Sequence, residues 1–186
     1  MGRKIILNEK QVDFLIKKSI VENNDTDEYK KIINNVLAEI NEYLADFGLS
    51  CTLNTKYDFS GYYKNCVAVY QYRSVMNNGK IRIAINLPLI QSHANMDEGI
   101  DINEQIEISM WHEVGHGIVQ WIKSLRRKDT QAKTGIFKGK IVKDIRYIIN
   151  NEEEAVEEFG EYQSNLASYS ILNYFIRDYY EILKPE

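Results

Sequence analysis

The feature that most constrains the fold is a wide apolar stripe at helical spacing with a polar motif set into its flank. Ile106, Met110, Trp111, Val114, Ile118, Trp121, Ile122 and Leu125 recur with the period of an α-helix. A stripe this wide has to be covered from more than one side. The helix that carries it, expected from Asp101 or Asn103 to about Leu125, is therefore central. Beside the stripe stands His112-Glu113-Val114-Gly115-His116. Positions i and i+4 share a helix face, so both imidazoles can be offered to one ion. Glu113 is rotated away from the histidines and is badly placed to ligate the same ion. It can reach a water held there, which is what a general base must do. The chain has only 3 histidines, and the motif uses two of them.

The segments around this helix predict an α+β fold. Val12, Leu15, Ile16 and Ile20 suggest a short helix over 9–22. A second helix is expected from an N-cap at Asp25, with Glu28 three residues on, through Ile32, Ile33, Val36, Leu37, Ile40, Leu44 and Phe47 to a stop at Gly48. The composition then shifts over 50–88. Cys66–Tyr72 reads as a strand, and Lys80–Asn86 alternates Ile81, Ile83 and Ile85 against Arg82, Ala84 and Asn86. Asn77-Asn78-Gly79 marks a turn between them. A third strand near 51–58 completes a small antiparallel sheet, which Pro88 ends. Residues 92–101 and 126–141 read as loops, and the chain from Lys143 onward as helical with a break near Ser168-Tyr169-Ser170. The expectation is a single domain over 1–186: N-terminal helices in 1–49, sheet in 50–88, active-site helix in 101–125 and C-terminal helices in 143–184.

Composition narrows the function classes. With 186 residues, 44% hydrophobic and 27% charged, the chain suits one soluble globular core. A net charge of -4 argues against a nucleic-acid partner. No stretch approaches the roughly 18 apolar residues of a membrane span, so no membrane partner is expected. The first residues lack the apolar core of a signal peptide, which makes the cytoplasm the expected compartment. Cys51 and Cys66 are too few and too far apart for a CxxC metal site and read as free thiols.

Two histidines do not complete a catalytic metal site, which needs three protein ligands and one open position. A third histidine three positions beyond a glycine would require Gly at 119 and His at 122, where the chain has Val119 and Ile122. The downstream run Glu152-Glu153-Glu154-Ala155-Val156-Glu157-Glu158-Phe159-Gly160 offers carboxylates instead. Ala155, Val156, Phe159, Gln163 and Leu166 define its buried side. Glu154 and Glu158 point away from it, and Glu152 lies along it. Glu153 and Glu157 share one flank, one turn apart, as the two histidines do on their own helix. Glu153 is the expected ligand, with Glu152 and Glu154 as alternatives, and Glu157 the expected acceptor for a ligand histidine N–H. Gly115 costs up to about 1 kcal/mol inside a helix relative to Ala. A close approach by the glutamate helix or the sheet would explain it, and Gly117 likewise.

HEVGH followed by E-E-A-V-E-E-F-G resembles the gluzincin clan of zinc metallopeptidases. It is similar to the compact minigluzincin type and to the catalytic domain of anthrax lethal factor. Their third ligand is the first Glu of an E-x-x-A-E-x-F pattern. Laid on this chain, the pattern falls on Glu153, Val156 in place of Ala, Glu157 and Phe159. A looser resemblance is to ImmA/IrrE-type proteins, whose E-A-x-x-F spacing is not met, because Phe159 comes one residue late after Glu154-Ala155.

The resemblance implies a zincin-like core in which the HExxH helix packs under a small sheet. One strand then borders the cleft, and substrate backbone adds to that edge as an extra strand. It implies Zn2+ on His112, His116 and Glu153. The zinc lowers the pKa of its water to about 7 and polarises the scissile carbonyl, and Glu113 moves the water's proton to the leaving amine. Tyr147 is the candidate for stabilising the oxyanion, and His93 a further candidate near the site. The segment from Lys123 to Lys143, with Arg126, Arg127, Lys128, Lys133, Lys138 and Lys140, is expected to join the two ligand helices and rim the cleft. The expected function is a zinc-dependent endopeptidase acting on a protein or peptide substrate. The alternative is a regulatory or binding protein that keeps the metal-site fold without turnover.

Overall fold

A computed structural model describes residues 28–71, 79–96, 101–132 and 139–183, with side chains for 28–71, 79–92, 101–126 and 139–178. The expected helix over 9–22, the Asp25 cap and the Asn77-Asn78 part of the expected turn lie outside these residues. Among the described residues the fold is α+β, with six α-helices and a three-stranded sheet. Among them, no helix is long and apolar enough to cross a membrane.

The first helix, α1 (28–45), buries the face read from the sequence: Ile33, Val36, Ile40 and Leu44. Its end is set by Gly48 at φ 65, where the Leu49 amide bonds the Leu44 carbonyl and the Gly48 amide bonds the Ala45 carbonyl. These two bonds satisfy carbonyls that the helix end leaves open, and only glycine takes this backbone conformation without cost. The chain turns straight into β1 (Ser50–Leu53). A loop with a short 3-10 turn (Gly61–Tyr63) leads to β2 (Ala68–Tyr70), and β3 (Lys80–Ile85) follows.

The sheet is mixed rather than antiparallel. Its order is β1-β3-β2; β1 runs parallel to β3, and β2 antiparallel to it. The reason is where the strands enter. Gly48 and Gly79 meet at one end of the sheet, and the Ser50 amide bonds the Gly79 carbonyl, so β1 and β3 start side by side and run together. The long link over 54–67 carries the chain back across, leaving β2 as an edge strand. Strand patterns alone report which face is buried, not which neighbour a strand takes.

Two loop expectations are also corrected. Residues 87–96 form α2 (Leu87–Met96) rather than leading into a loop at 92. Pro88 ends the sheet and also begins this helix, in whose first turn a missing N–H costs nothing. The central helix α3 (Ile102–Ala132) continues seven residues past Leu125. Arg126 to Gln131 are polar, but the segment to Ala132 contains no Gly or Pro that would break a helix. The segment after α3 therefore joins α4 (Lys140–Asn150), not the glutamate helix directly. A break at Asn151, which the sequence reading missed, separates α4 from α5 (Glu152–Gln163). The expected break near 168–170 falls before α6 (Ile171–Leu183).

Helix α3 lies at the centre, against β2 and β3 on one side and α5 on the other. Ile106, Met110, Val114, Ile118 and Ile122 are fully buried, as the wide stripe requires. Two glycines allow the close approaches. A Cβ at Gly117 would sit 2.6 Å from Ile81 Cγ2 on β3, and one at Gly115 would sit 3.0 Å from Val156 Cβ and Cγ1 on α5. Gly160 answers from α5, where a Cβ would lie 3.1 Å from the Ile108 carbonyl oxygen of α3. Tyr43, Trp111 and Phe159 bring α1, α3 and α5 together through tilted and edge-on ring contacts with centroids 5.6–5.9 Å apart.

Candidate metal centre

Each side chain of the site is placed by the contacts just described. His112 and His116 sit one turn apart on α3, with Nε2 atoms 3.2 Å apart. The close seat of α5 on α3, made by Gly115 and Gly160, brings the first turn of α5 over these rings. Glu153 Oε2 lies 3.9 Å from His112 Nε2 and 3.7 Å from His116 Nε2. Among the described residues, these three form a cluster that could hold a metal, their ligand atoms all within 4.8 Å of one another. Glu153 is 82% exposed while His116 is 16% exposed, so this centre opens to solvent on the glutamate side. Both Glu152 and Glu153 stand at a helix N-terminus, where the backbone dipole favours a carboxylate.

Glu113 sits on the sheet side of the same helix turn. Its carboxylate accepts a hydrogen bond from the Tyr70 backbone amide on the edge strand β2. Burial pushes its pKa above the usual carboxylate range, and the nearby Glu153 charge adds to that against the lowering effect of His116 and the Tyr70 bond. Burial, and then the neighbouring His116, lowers the pKa of His112. His116 moves the other way: burial lowers its pKa, but the Glu152 hydrogen bond and the charges of Glu113 and Glu153 outweigh it.

Glu152 holds a position that the sequence reading left as an alternative ligand. Its Oε1 lies 2.9 Å from His116 Nδ1, and its Oε2 takes the Lys123 ammonium. Burial would raise its pKa, but the bonds to His116 and Lys123 prevail and hold it down to about 2. The acceptor for the His116 N–H is thus Glu152, while Glu157, the acceptor expected for a ligand histidine, acts on His112 through its charge. The signal for Lys123 was present in the sequence: it follows His116 by seven residues, two helical turns, on the same face. Glu152 lies along the inner side of α5, as its spacing implies; periodicity does not report that His116 and Lys123 are what this side meets.

Tyr147 lies on α4 and is 45% exposed. Its backbone carbonyl accepts from both the amide and the side chain of Asn151, which pins the corner leading into α5. Among the described residues, no hydrogen bond or ring contact joins Tyr147 to His112, His116 or Glu153. His93 falls on α2, among residues whose side chains lie outside the description. Arg126 is exposed on α3, and the other basic residues from Arg127 to Lys138 lie outside the described side chains.

No protein-family model matches the chain, and no curated protein or solved structure does. The functional reading therefore rests on the residues themselves.

Proposed function

We propose that the chain is a zinc-dependent endopeptidase with a zincin-like fold, its metal held by His112, His116 and Glu153. The observation that carries this reading is the size of the ligand triangle. Its sides are 3.2, 3.7 and 3.9 Å. The point equidistant from its corners lies about 2.1 Å from each, against zinc–ligand bonds of about 2.0–2.2 Å. Three ligands of two nitrogens and one oxygen, with the fourth side open to solvent, match a catalytic rather than a structural zinc site. Zinc bound there would supply Lewis acidity, polarising a carbonyl and lowering the pKa of water to about 7.

The remaining chemistry belongs to the chain. Glu113 is the general base. It takes a proton from the attacking water and returns it to the leaving amine. Burial raises its pKa, and its place one residue from His112 puts it within reach of a water held at the centre. It has no ligand role that would otherwise account for a half-buried carboxylate one residue from His112. Glu152 orients His116 by accepting its Nδ1–H, which leaves the lone pair on Nε2. The edge strand β2 borders this centre through the Tyr70 amide, and an extended peptide would lie along that edge. Tyr147 on α4 is retained as the candidate for the oxyanion.

The test is Glu113→Gln, digested against a peptide library and read by mass spectrometry. The variant should keep its zinc and lose cleavage by about 10²–10⁴-fold. A Gln variant that retains its zinc and cuts at the wild-type rate would remove Glu113 from the mechanism. A wild type that binds zinc and cuts nothing would favour the regulatory alternative.

A further inference from the structure

We infer that Lys123 is a positioning residue of the metal centre, acting through Glu152 to keep His116 turned for metal binding. This rests on the proposed metal site and adds a residue to it that the HExxH and glutamate motifs do not contain.

The geometry is a chain of three side chains from two elements. Lys123 and His116 lie two turns apart on one face of α3, and Glu152 descends between them from the first position of α5. Each carboxylate oxygen has one partner: Oε1 faces His116 Nδ1 at 2.9 Å, and Oε2 faces the Lys123 ammonium. Both oxygens are engaged on the side of the imidazole away from Nε2. Glu152 is thereby held out of the ligand triangle, although it directly precedes Glu153 in the chain. Its side chain is 22% exposed, against 82% for Glu153. In a run of three glutamates, the one that faces Lys123 is drawn inward, and its neighbour is left to face the two Nε2 atoms.

A glutamate without this clamp has free torsions and no fixed acceptor direction. The His116 ring would then be free to rotate or to exchange its tautomer, and metal affinity would fall. Simple electrostatics predicts the opposite sign. Removing a cation near a dication's site, by charge alone, strengthens binding of the dication. The direction of the change therefore separates positioning from long-range charge.

The experiment is a zinc-affinity measurement by competition with a chromophoric chelator. It uses full-length wild type, Lys123→Met, Lys123→Arg, Glu152→Gln and the Lys123→Met/Glu152→Gln double variant. Urea midpoints of the same metal-free proteins would be recorded alongside. Wild type should bind one zinc. Lys123→Met should bind it about 10-fold more weakly, at the low end of the 10–100-fold range for residues that orient ligands. Lys123→Arg should restore affinity to within about threefold, because the guanidinium can also clamp the carboxylate. In the Glu152→Gln background, Lys123→Met should change affinity by less than about twofold. The d–d spectrum of the cobalt-substituted protein should shift in Lys123→Met and return in Lys123→Arg. Unchanged or tighter zinc binding in Lys123→Met overturns the inference while leaving the metal site standing. An equal loss with and without Glu152 overturns it as well. A wild type that takes up no zinc removes the metal reading itself, and this inference with it.

Discussion

Replacing Gly117 by Ala tests how α3 meets the sheet. The new methyl would lie 2.6 Å from Ile81 Cγ2 and 2.8 Å from Ile81 Cγ1 and Cδ1. Carbon atoms in contact prefer about 3.5–4.0 Å, so the overlap approaches 1 Å. Ile81 is fully buried on β3, and two of the three atoms met are near its branch point rather than at its tip. The side chain cannot simply swing away. Overpacking of this kind costs about 1–3 kcal/mol, and better helix propensity returns up to about 1 kcal/mol. The net expectation is a loss of about 1–2 kcal/mol. Ile81→Ala alone should cost about 2–5 kcal/mol through the cavity it leaves. With that cavity present the methyl has room, so Gly117→Ala becomes neutral or stabilising by up to about 1 kcal/mol. Urea denaturation of the four proteins, followed by far-UV circular dichroism at matched m-values, reads the coupling. Stabilisation by Gly117→Ala in the wild-type background would refute the packing, as would two effects that add to within about 0.5 kcal/mol.

Other consequences follow from single side chains. Phe159 is fully buried and meets Trp111 edge-on at 5.8 Å, so Phe159→Ala should cost about 3–5 kcal/mol. By loosening α5 it should also weaken zinc binding; unchanged zinc affinity would mean that the α3–α5 seat does not position Glu153. Asn41 ties α1 to β1 through both the amide and the carbonyl of Cys51, so Asn41→Ala should lose about 1–3 kcal/mol in thermal or urea unfolding. A loss below a few tenths would argue against that bridge. Burial pushes the Cys51 thiol up to about 12, so at pH 8 it stays protonated. A short iodoacetamide pulse should label the half-buried Cys66 well before Cys51, with the difference vanishing in denaturant. Equal labelling of the native protein would contradict the burial of Cys51. Dialysis against a chelator should abolish peptide cleavage, and one equivalent of zinc should restore it; activity that survives metal removal would exclude the proposed chemistry.

Much of the central fold was legible because it depends on local periodicity and on residues with one dominant physical role. The α1 face from Ile33 to Leu44, its stop at Gly48 and the wide stripe of α3 could all be read from spacing. Gly115 in the motif and Gly117 just after it announce close approaches, and they meet α5 and β3. The pairing of His112, His116 and Glu153 followed from matching flanks on two helices. What escaped was set by long-range pairing and by helix phase. The parallel alignment of β1 with β3 depends on where Gly48 and Gly79 come together, which no strand pattern encodes. The polar run from Arg126 to Gln131 suggests a loop, yet nothing there breaks a helix. Asn151 interrupts what reads as one helix, and the place of Glu152 on the inner side of α5 does not by itself reveal that His116 and Lys123 face it there.

The most direct test of the metal site is the zinc content of the protein purified without added metal and without a histidine tag, measured by elemental analysis. Wild type should carry close to one zinc per chain, falling sharply in His112→Ala and Glu153→Ala while Glu113→Gln retains it. A fully folded protein that carries no zinc, and whose stability does not change when zinc is added, would contradict the metal centre and reduce HEVGH to a helix sequence without chemistry.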